Sequence, residues 1–214
     1  MAHIQNADGR GILLGMVAAV QQNKQYLSDV DGLVGDGDHG MNMNKGFTMY
    51  LEQLGGKETN FSDGLFDLGS VLLNKIGGSM GPIYGTIFMD MSDAAEDADE
   101  IDLEAFIGML EAGLTGLYGI VEARPGDKTL VDALHPALEA LKAARDAGRA
   151  FPDALDDLKA AAEAGKESTK DLVAKFGRSA RLGERSRGVL DAGAASCAII
   201  LSAMADGMKA AMRA

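Results

Sequence analysis

A chain of 214 residues, 47% of them hydrophobic, can bury one sizeable core, which excludes a disordered segment and points to a single domain over 1–214. Aromatic residues make up only 5% and tryptophan is absent, while alanine, leucine, methionine, glutamate and lysine abound, a balance that favours helix over sheet. The formal net charge of −12 argues against nucleic acid or an anionic membrane as partner, and it would argue against a nucleotide too unless a divalent cation stood between acidic side chains and phosphates.

Met1 to Arg10 is polar and carries no basic-then-apolar leader pattern, and no apolar run is expected to reach membrane-crossing length. Ile12, Leu13, Met16, Val17, Val20 and Leu27 recur near helical spacing and predict a first helix over 11–27. Residues 28–40, rich in Gly and Asp, read as loop. A second helix follows at about 41–54 and is ended by Gly55-Gly56. Ser62 or Asp63 is expected to cap a third, which carries Leu65, Leu68, Val71, Leu72 and Ile76. Gly77-Gly78-Ser79-Met80-Gly81 reads as a tight turn. Pro82 is then expected at the first position of a fourth helix, where its missing N–H costs nothing, and that helix runs to about Met91.

Ala94 to Glu100 is an acidic connector. Asp102 is expected to cap a helix whose Leu103, Phe106, Ile107, Leu110, Leu114 and Leu117 form one stripe. Arg124-Pro125-Gly126-Asp127 breaks the chain. The next helix carries Leu130, Val131, Leu134, Leu138 and Leu141, with Pro136 expected to kink it or delay its start. Pro152 opens an Ala-rich helix to about Lys175, with Leu155, Leu158 and Ala162 inward. A Gly/Arg loop over 177–190 precedes a last helix from Asp191 to Met212. The lone cysteine, Cys197, lies in its apolar run; it fits a reducing, cytoplasmic setting and is expected to pack as a small hydrophobe. Eight helices and no strand predict an all-α antiparallel bundle.

Four segments could carry chemistry. Asp31, Asp36 and Asp38 crowd together beside His39, and crowded carboxylates repel unless a cation is shared; the glycines between them let the backbone turn tightly. The segment is either a Mg²⁺ site or a solvated acidic turn. It is not a calcium loop of the EF-hand kind, because Met41 and Phe47 stand where Gly and Glu are required. Gly77 to Pro82 either cradles a phosphate at a helix N-terminus or simply turns. Pro125-Gly126-Asp127-Lys128-Thr129 ends like a phosphate-binding loop, but Asp127 occupies the required Gly and no strand precedes it; the plain expectation is an Asp helix cap with an exposed Lys128. Arg178, Arg181, Arg185 and Arg187 either bind phosphate oxygens or form a solvated basic loop. His135, directly before Pro136, is expected in a turn or the core, and His3 has no partner spacing. Neither a Ser-hydrolase elbow nor a Cys/His zinc pattern is present.

Taken together, Gly35-Asp36-Gly37-Asp38-His39-Gly40-Met41-Asn42-Met43-Asn44, Gly77 to Thr86, Gly126-Asp127-Lys128-Thr129 and Leu182-Gly183-Glu184-Arg185-Ser186 resemble, in order and spacing, the nucleotide-binding L subunit of dihydroxyacetone kinase. The resemblance spans essentially the whole chain. It implies a barrel of eight antiparallel helices with a nucleotide–Mg²⁺ site at one end. Asp31, Asp36 and Asp38 would bind two Mg²⁺ ions that bridge the phosphates of ADP or ATP. His39, Gly40, Met41 and Asn42 would line the phosphates, and Gly78, Ser79 and Met80 would meet the nucleotide from the glycine-rich turn. Thr129 and Leu130 would hold the adenosine. Arg178, with Asp191, Ala192 and Gly193, would close the site, and Arg178 would be the catalytic charge. A separate K subunit would hold dihydroxyacetone on a histidine; the phosphate donor would be a phosphohistidine-carrying phosphotransferase subunit or free ATP. The chain departs from the family where Ser79-Met80 replaces Ala-Ser or Thr-Ser, where Val189-Leu190-Asp191-Ala192-Gly193 replaces His-Gln-Asp-Pro-Gly, and just before Pro125. Alternatives are a subunit of a kinase for another small ketose or tetrulose, and a nucleotide-bearing protein that docks a transcription regulator.

Overall fold

Each apolar stripe becomes the buried face of a helix in the computed structural model, which describes residues 2–213. Met1 and Ala214, the outermost residues of the domain expected over 1–214, lie outside the described residues. The helices are α1 (Arg10–Gly32), α2 (His39–Leu54), α3 (Phe61–Lys75), α4 (Met80–Asp93), α5 (Leu103–Ile120), α6 (Val131–Asp146), α7 (Phe151–Ser168) and α8 (Ala192–Ala211). Each packs on the next in sequence, and α8 returns to pack on α1, so the eight close into a ring. Neighbours joined this way run antiparallel. One continuous core fills the ring, with Phe47, Phe61, Phe106 and Tyr50 among its largest members.

Antiparallel closure has a topological result. The connectors α1–α2, α3–α4, α5–α6 and α7–α8 all fall at one end of the ring. The opposite end holds the remaining connectors and both chain ends. There two short strands that the sequence pattern did not reveal, β1 (Ile4–Gln5) and β2 (Glu100–Ile101), pair antiparallel. Two-residue strands are too short to show alternation.

Several boundaries differ from expectation for identifiable reasons. α1 continues past Leu27 to Gly32 because Val30 extends its buried stripe, so Asp31 sits on the last helical turn rather than in a loop. α3 is capped by Asn60, whose Oδ1 accepts from the Asp63 N–H at 2.7 Å, rather than by Ser62 or Asp63. α4 starts at Met80, making Pro82 its third residue, still within the first turn where no N–H is needed. Pro136 neither delays nor ends α6. α7 stops at Ser168, well short of Lys175, and a 3₁₀ turn over Thr169–Asp171 follows. A second 3₁₀ stretch, Ser179–Ser186, lies inside the expected 177–190 loop. By length and hydropathy alone α5 and α8 do reach the range of membrane-crossing helices, against expectation. Their apolar character belongs to the core, since α5 packs on α4 and α6, and α8 on α1 and α7. Cys197 is buried in α8, and its thiol is pushed up to about 12 by that burial, which keeps it protonated.

Close helix approach is decided at Gly40. A Cβ there would lie 1.9 Å from the Lys24 carbonyl oxygen and 2.7 Å from the Ser28 nitrogen, both main-chain atoms of α1. Gly40→Ala must therefore push α2 off α1 and is expected to lower stability by about 1–3 kcal/mol. Gly15→Ala is the control: no atom lies within 4 Å of its Cβ position, and the helix should gain up to about 1 kcal/mol. Urea unfolding midpoints check both; equal effects would refute the packing account.

Candidate functional site

The four connectors gathered at one end enclose a cavity of about 490 Å³. Asp31, Val34, Gly35, Asp36, Asp38 and His39 line it from the α1–α2 side, and Ser79, Met80, Ile83 and Tyr84 from α3–α4. Val121, Glu122, Ala123, Lys128, Thr129 and Leu130 come from α5–α6. Phe176, Gly177, Arg178 and Ser179, with Asp191, Ala192 and Gly193, come from α7–α8.

The acidic corner is built by helix ends. Asp31 is on the last turn of α1, and its carbonyl accepts from the N–H groups of Val34 and Gly35 at 3.1 and 2.6 Å, which folds the connector back over it. Asp38 stands just before α2, its carbonyl taking the Asn42 N–H at 2.9 Å. Gly35 lets the Asp31 carboxylate lie against the backbone, since a Cβ there would be 2.3 Å from Oδ1. One oxygen each of Asp31, Asp36 and Asp38 lies within 4.8 Å of the others. Asp36 also pairs with the guanidinium of Arg178. Three hard carboxylate ligands, converging and open to a cavity on one side, fit Mg²⁺ with coordination positions left for other oxygens.

His39 opens α2 and is buried. Its Nε2 lies 2.9 Å from the Ser196 hydroxyl, which lies 2.6 Å from the Tyr84 hydroxyl and donates to the Gly193 carbonyl at 3.0 Å. The Tyr84 hydroxyl also reaches the Gly193 carbonyl, at 3.3 Å, so the two hydroxyls and the imidazole form one buried polar cluster around that carbonyl. Burial pulls the imidazole down to about 4, partly opposed by the Asp31 carboxylate, so His39 is neutral. Burial likewise pushes the Tyr84 phenol well above its ordinary value. This chain ties the acidic corner to α4 and to the first turn of α8.

The opposite corner is organised by Asp132 and Lys128. The Asp132 carboxylate accepts from the N–H groups of Gly126 at 2.5 Å and Thr129 at 2.8 Å, fixing the turn before α6. Asp127 is not the helix cap. Its carboxylate accepts from Lys175 Nζ at 2.6 Å and from the Arg124 N–H at 2.8 Å, and the Lys175 ammonium holds it below the usual range. Nor is Lys128 exposed: the side chain is 1% accessible and donates to the carbonyls of Thr169 at 2.5 Å and Val189 at 2.6 Å. Burial lowers its pKa, against the nearby Asp191 and Asp132 charges. Asp191 caps α8 by accepting the Ala194 N–H at 2.8 Å, and its own N–H goes to Thr169 Oγ1 at 3.0 Å.

Of the residues singled out in the sequence, Asp31, Asp36, Asp38, His39, Ser79, Met80, Thr129, Leu130, Arg178, Asp191, Ala192 and Gly193 all meet at this cavity. Gly78, Gly40, Met41 and Asn42 are not on its wall; Gly40 faces α1 and Met41 is 53% exposed. Arg187 instead reaches back to the Asp171 carbonyl and Glu184. Lys128, Tyr84, Ser196 and Thr169 were not anticipated. Lys128 gave one signal, a lysine inside a turn of Pro, Gly and Asp; a hydroxyl within an apolar helix gives almost none. His135 sits half-buried in α6.

Comparison with known proteins agrees with this fold. The model of the DAK2 domain family matches residues 33–206. The chain is 41% identical to the ADP-binding subunit DhaL of a PEP-dependent dihydroxyacetone kinase of Listeria innocua, over 86% of this chain and 88% of that one. It is 35% identical to the corresponding DhaL subunit of Escherichia coli, over 85% and 87% of the two chains. Among solved structures, the dihydroxyacetone kinase of C. freundii in complex with AMP-PNP and Mg²⁺ superposes with a TM-score of 0.70 at 27% identity, covering 94% of this chain. The chain spans only 34% of that longer kinase.

The site makes stability depend on pH through Asp191. Burial pushes its carboxyl up to about 6, against the Ala194 hydrogen bond and the Lys128 charge. An unfolded Asp titrates near about 4, so the folded protein holds this proton more tightly. The stabilising contribution is present at low pH and is lost as pH rises through about 6. Asp191→Asn keeps an oxygen for the Ala194 N–H but cannot titrate. Urea unfolding between pH 4 and 7 should show the wild type losing stability relative to the variant as pH rises; a constant difference would contradict this.

Proposed function

The chain belongs to the DAK2 domain family, and on that premise we propose that it is the ADP-binding subunit of a dihydroxyacetone kinase, a phosphotransferase subunit. The observation that carries the reading is the convergence of the Asp31, Asp36 and Asp38 carboxylates to within 4.8 Å at the edge of a cavity of about 490 Å³, a size suited to a nucleotide. In this reading residues 1–214 act as one nucleotide-binding domain, which the continuous core supports.

The helix ends favour this assignment of parts. α2, α4, α6 and α8 all begin at the cavity end, where the positive end of a helix dipole favours phosphate. Asp31 sits at the C-terminus of α1, where a cation is favoured. Asp31, Asp36 and Asp38 would hold two Mg²⁺ ions, which would supply charge neutralisation for the phosphates. Arg178, already beside Asp36, turns its guanidinium to phosphate oxygens and offsets the charge that builds up during transfer. The starts of α2 and α4 (His39 and Ser79-Met80) orient the phosphates. Thr129 and Leu130, with Val121, Ala123 and Phe176 nearby, hold the adenosine against an apolar wall. Asp191 to Gly193 closes the remaining side.

Phosphoryl transfer needs positioning and charge neutralisation more than a covalent group from the protein. The sugar is assigned to a separate K-type subunit. Resident ADP recharged by a phosphohistidine-carrying phosphotransferase subunit is the donor arrangement we favour, because the DhaL relatives are named as subunits of PEP-dependent kinases. A cytoplasmic setting accords with that chemistry.

The test begins with the purified protein: denature it and assay the supernatant for adenine nucleotide. Stoichiometric ADP is expected. After stripping, Mg-ADP at 100 times its Kd should stabilise the wild type by about 2.7 kcal/mol. Asp36→Ala and Asp38→Ala should gain little or nothing in the same thermal shift. A wild type that holds no nucleotide and is indifferent to Mg-ADP and Mg-ATP would remove the kinase reading.

A further inference from the structure

Lys128 belongs to the cavity wall, yet its ammonium is turned away into protein. It is the one non-glycine with positive φ among the described residues, at 62°, a conformation disfavoured for an L side chain and retained only where the surroundings enforce it. That backbone lies between the Asp127 carboxylate, gripped by Lys175, and the Asp132 carboxylate, gripped by the N–H groups of Gly126 and Thr129. The turn is therefore fixed on both sides of Lys128.

Its side chain then reaches across to the α7–α8 connector and donates to two main-chain carbonyls, Thr169 at 2.5 Å and Val189 at 2.6 Å. These flank a long excursion of the chain that carries Phe176 and Arg178. Thr169 passes the connection on: its Oγ1 accepts the Asp191 N–H at 3.0 Å. Gly188 N–H bonds to the Lys170 carbonyl at 2.7 Å, closing the base of the excursion. Burying a lysine ammonium against neutral carbonyls is an expensive way to hold a fold together, because desolvation opposes it and an apolar side chain would pack at lower cost. What the ammonium provides and an apolar group cannot is directional registry between two separate connectors.

We propose that Lys128 is a positioning residue for nucleotide binding: its ammonium sets the distance between the Thr129-Leu130 wall and the Asp191–Gly193 wall of the cavity. It acts from behind the wall, through Thr169 and Val189, and does not itself touch phosphate. The metal corner stands on a different connector, α1–α2, and meets the braced excursion at the Arg178–Asp36 ion pair; Lys128 holds the base of that excursion, at Thr169 and Val189, and not its Arg178 end. This rests on the ADP-binding reading, and the controls below separate the two.

The experiment compares wild type, Lys128→Met and Thr169→Val, all stripped of nucleotide. Isothermal titration measures three probes: Mn²⁺ alone, Mg-pyrophosphate and Mg-ADP. Circular dichroism and thermal unfolding of each protein without ligand report the fold. Lys128→Met should bind Mg-ADP about tenfold more weakly, the scale of a lost charged hydrogen bond, while Mn²⁺ and Mg-pyrophosphate bind as in wild type. Thr169→Val keeps the size of the side chain and removes the acceptor for the Asp191 N–H together with the hydroxyl's bond to the Lys166 carbonyl, so it should weaken Mg-ADP alone and by a smaller factor. Should Lys128→Met fail to fold, Thr169→Val decides the matter. Unchanged Mg-ADP affinity in a folded variant, with only a lower melting temperature, would make Lys128 a purely structural residue and overturn the proposal. Equal loss of pyrophosphate and ADP would also overturn it, by placing the effect at the phosphates rather than at the spacing of the two walls. A wild type that binds Mn²⁺ but no ADP would defeat the ADP-binding reading instead.

Discussion

Closure of eight antiparallel helices into a ring is the constraint on which the rest depends. With an even number of elements and each helix packed on the next, every second connector must return to the same end. Four loops distant in sequence are thereby brought to one rim without any long excursion of the core. The core residues hold the rim in place, and some rim residues, Tyr84, Ala123 and Leu130 among them, belong to that core as well. This arrangement explains how Asp36 and Arg178, far apart along the chain, come to form an ion pair beside Asp31 and Asp38.

The same closure resolves the charge problem. In the nucleotide-binding reading a strongly acidic protein has to hold an anion, and the rim sorts its fields locally. Helices that begin at the rim present N–H groups, and the one that ends with Asp31 presents carbonyls beside carboxylates. Acidic and anion-favouring surfaces thus lie side by side within one cavity. A divalent cation at that boundary satisfies both. Buried neutral groups separate this region from the core: His39, Ser196 and Tyr84 are all hydrogen-bonded and uncharged.

Much of this was legible in the sequence because apolar periodicity reports directly on burial. All eight helices were readable from their stripes, and the clustered Asp31, Asp36 and Asp38 announced themselves by proximity in the chain. What periodicity cannot report is a polar side chain buried for its partners. Lys128 was read as exposed because lysines generally are, and nothing local indicates carbonyls contributed by Thr169 and Val189. Asp132 was passed over for Asp127 because a turn holding two aspartates does not say which one bends back. α7 seemed longer than it is because Thr169 to Lys175 has acceptable helix formers; its end is set by Thr169, whose hydroxyl bonds back to Lys166 while its carbonyl is claimed by Lys128. These are tertiary decisions, made between segments that only the fold juxtaposes.

The short strand pair carries a consequence for how such a unit can be built into larger proteins. Ile4 and Gln5 pair with Glu100 and Ile101, and His3 bridges to Arg213, so entry and exit of the polypeptide are stitched together at the pole away from the cavity. A tether fused to either end leaves the rim unobstructed. The barrel can therefore be passed between gene arrangements, as a free-standing chain or as one segment of a longer one, with its working face presented identically in both.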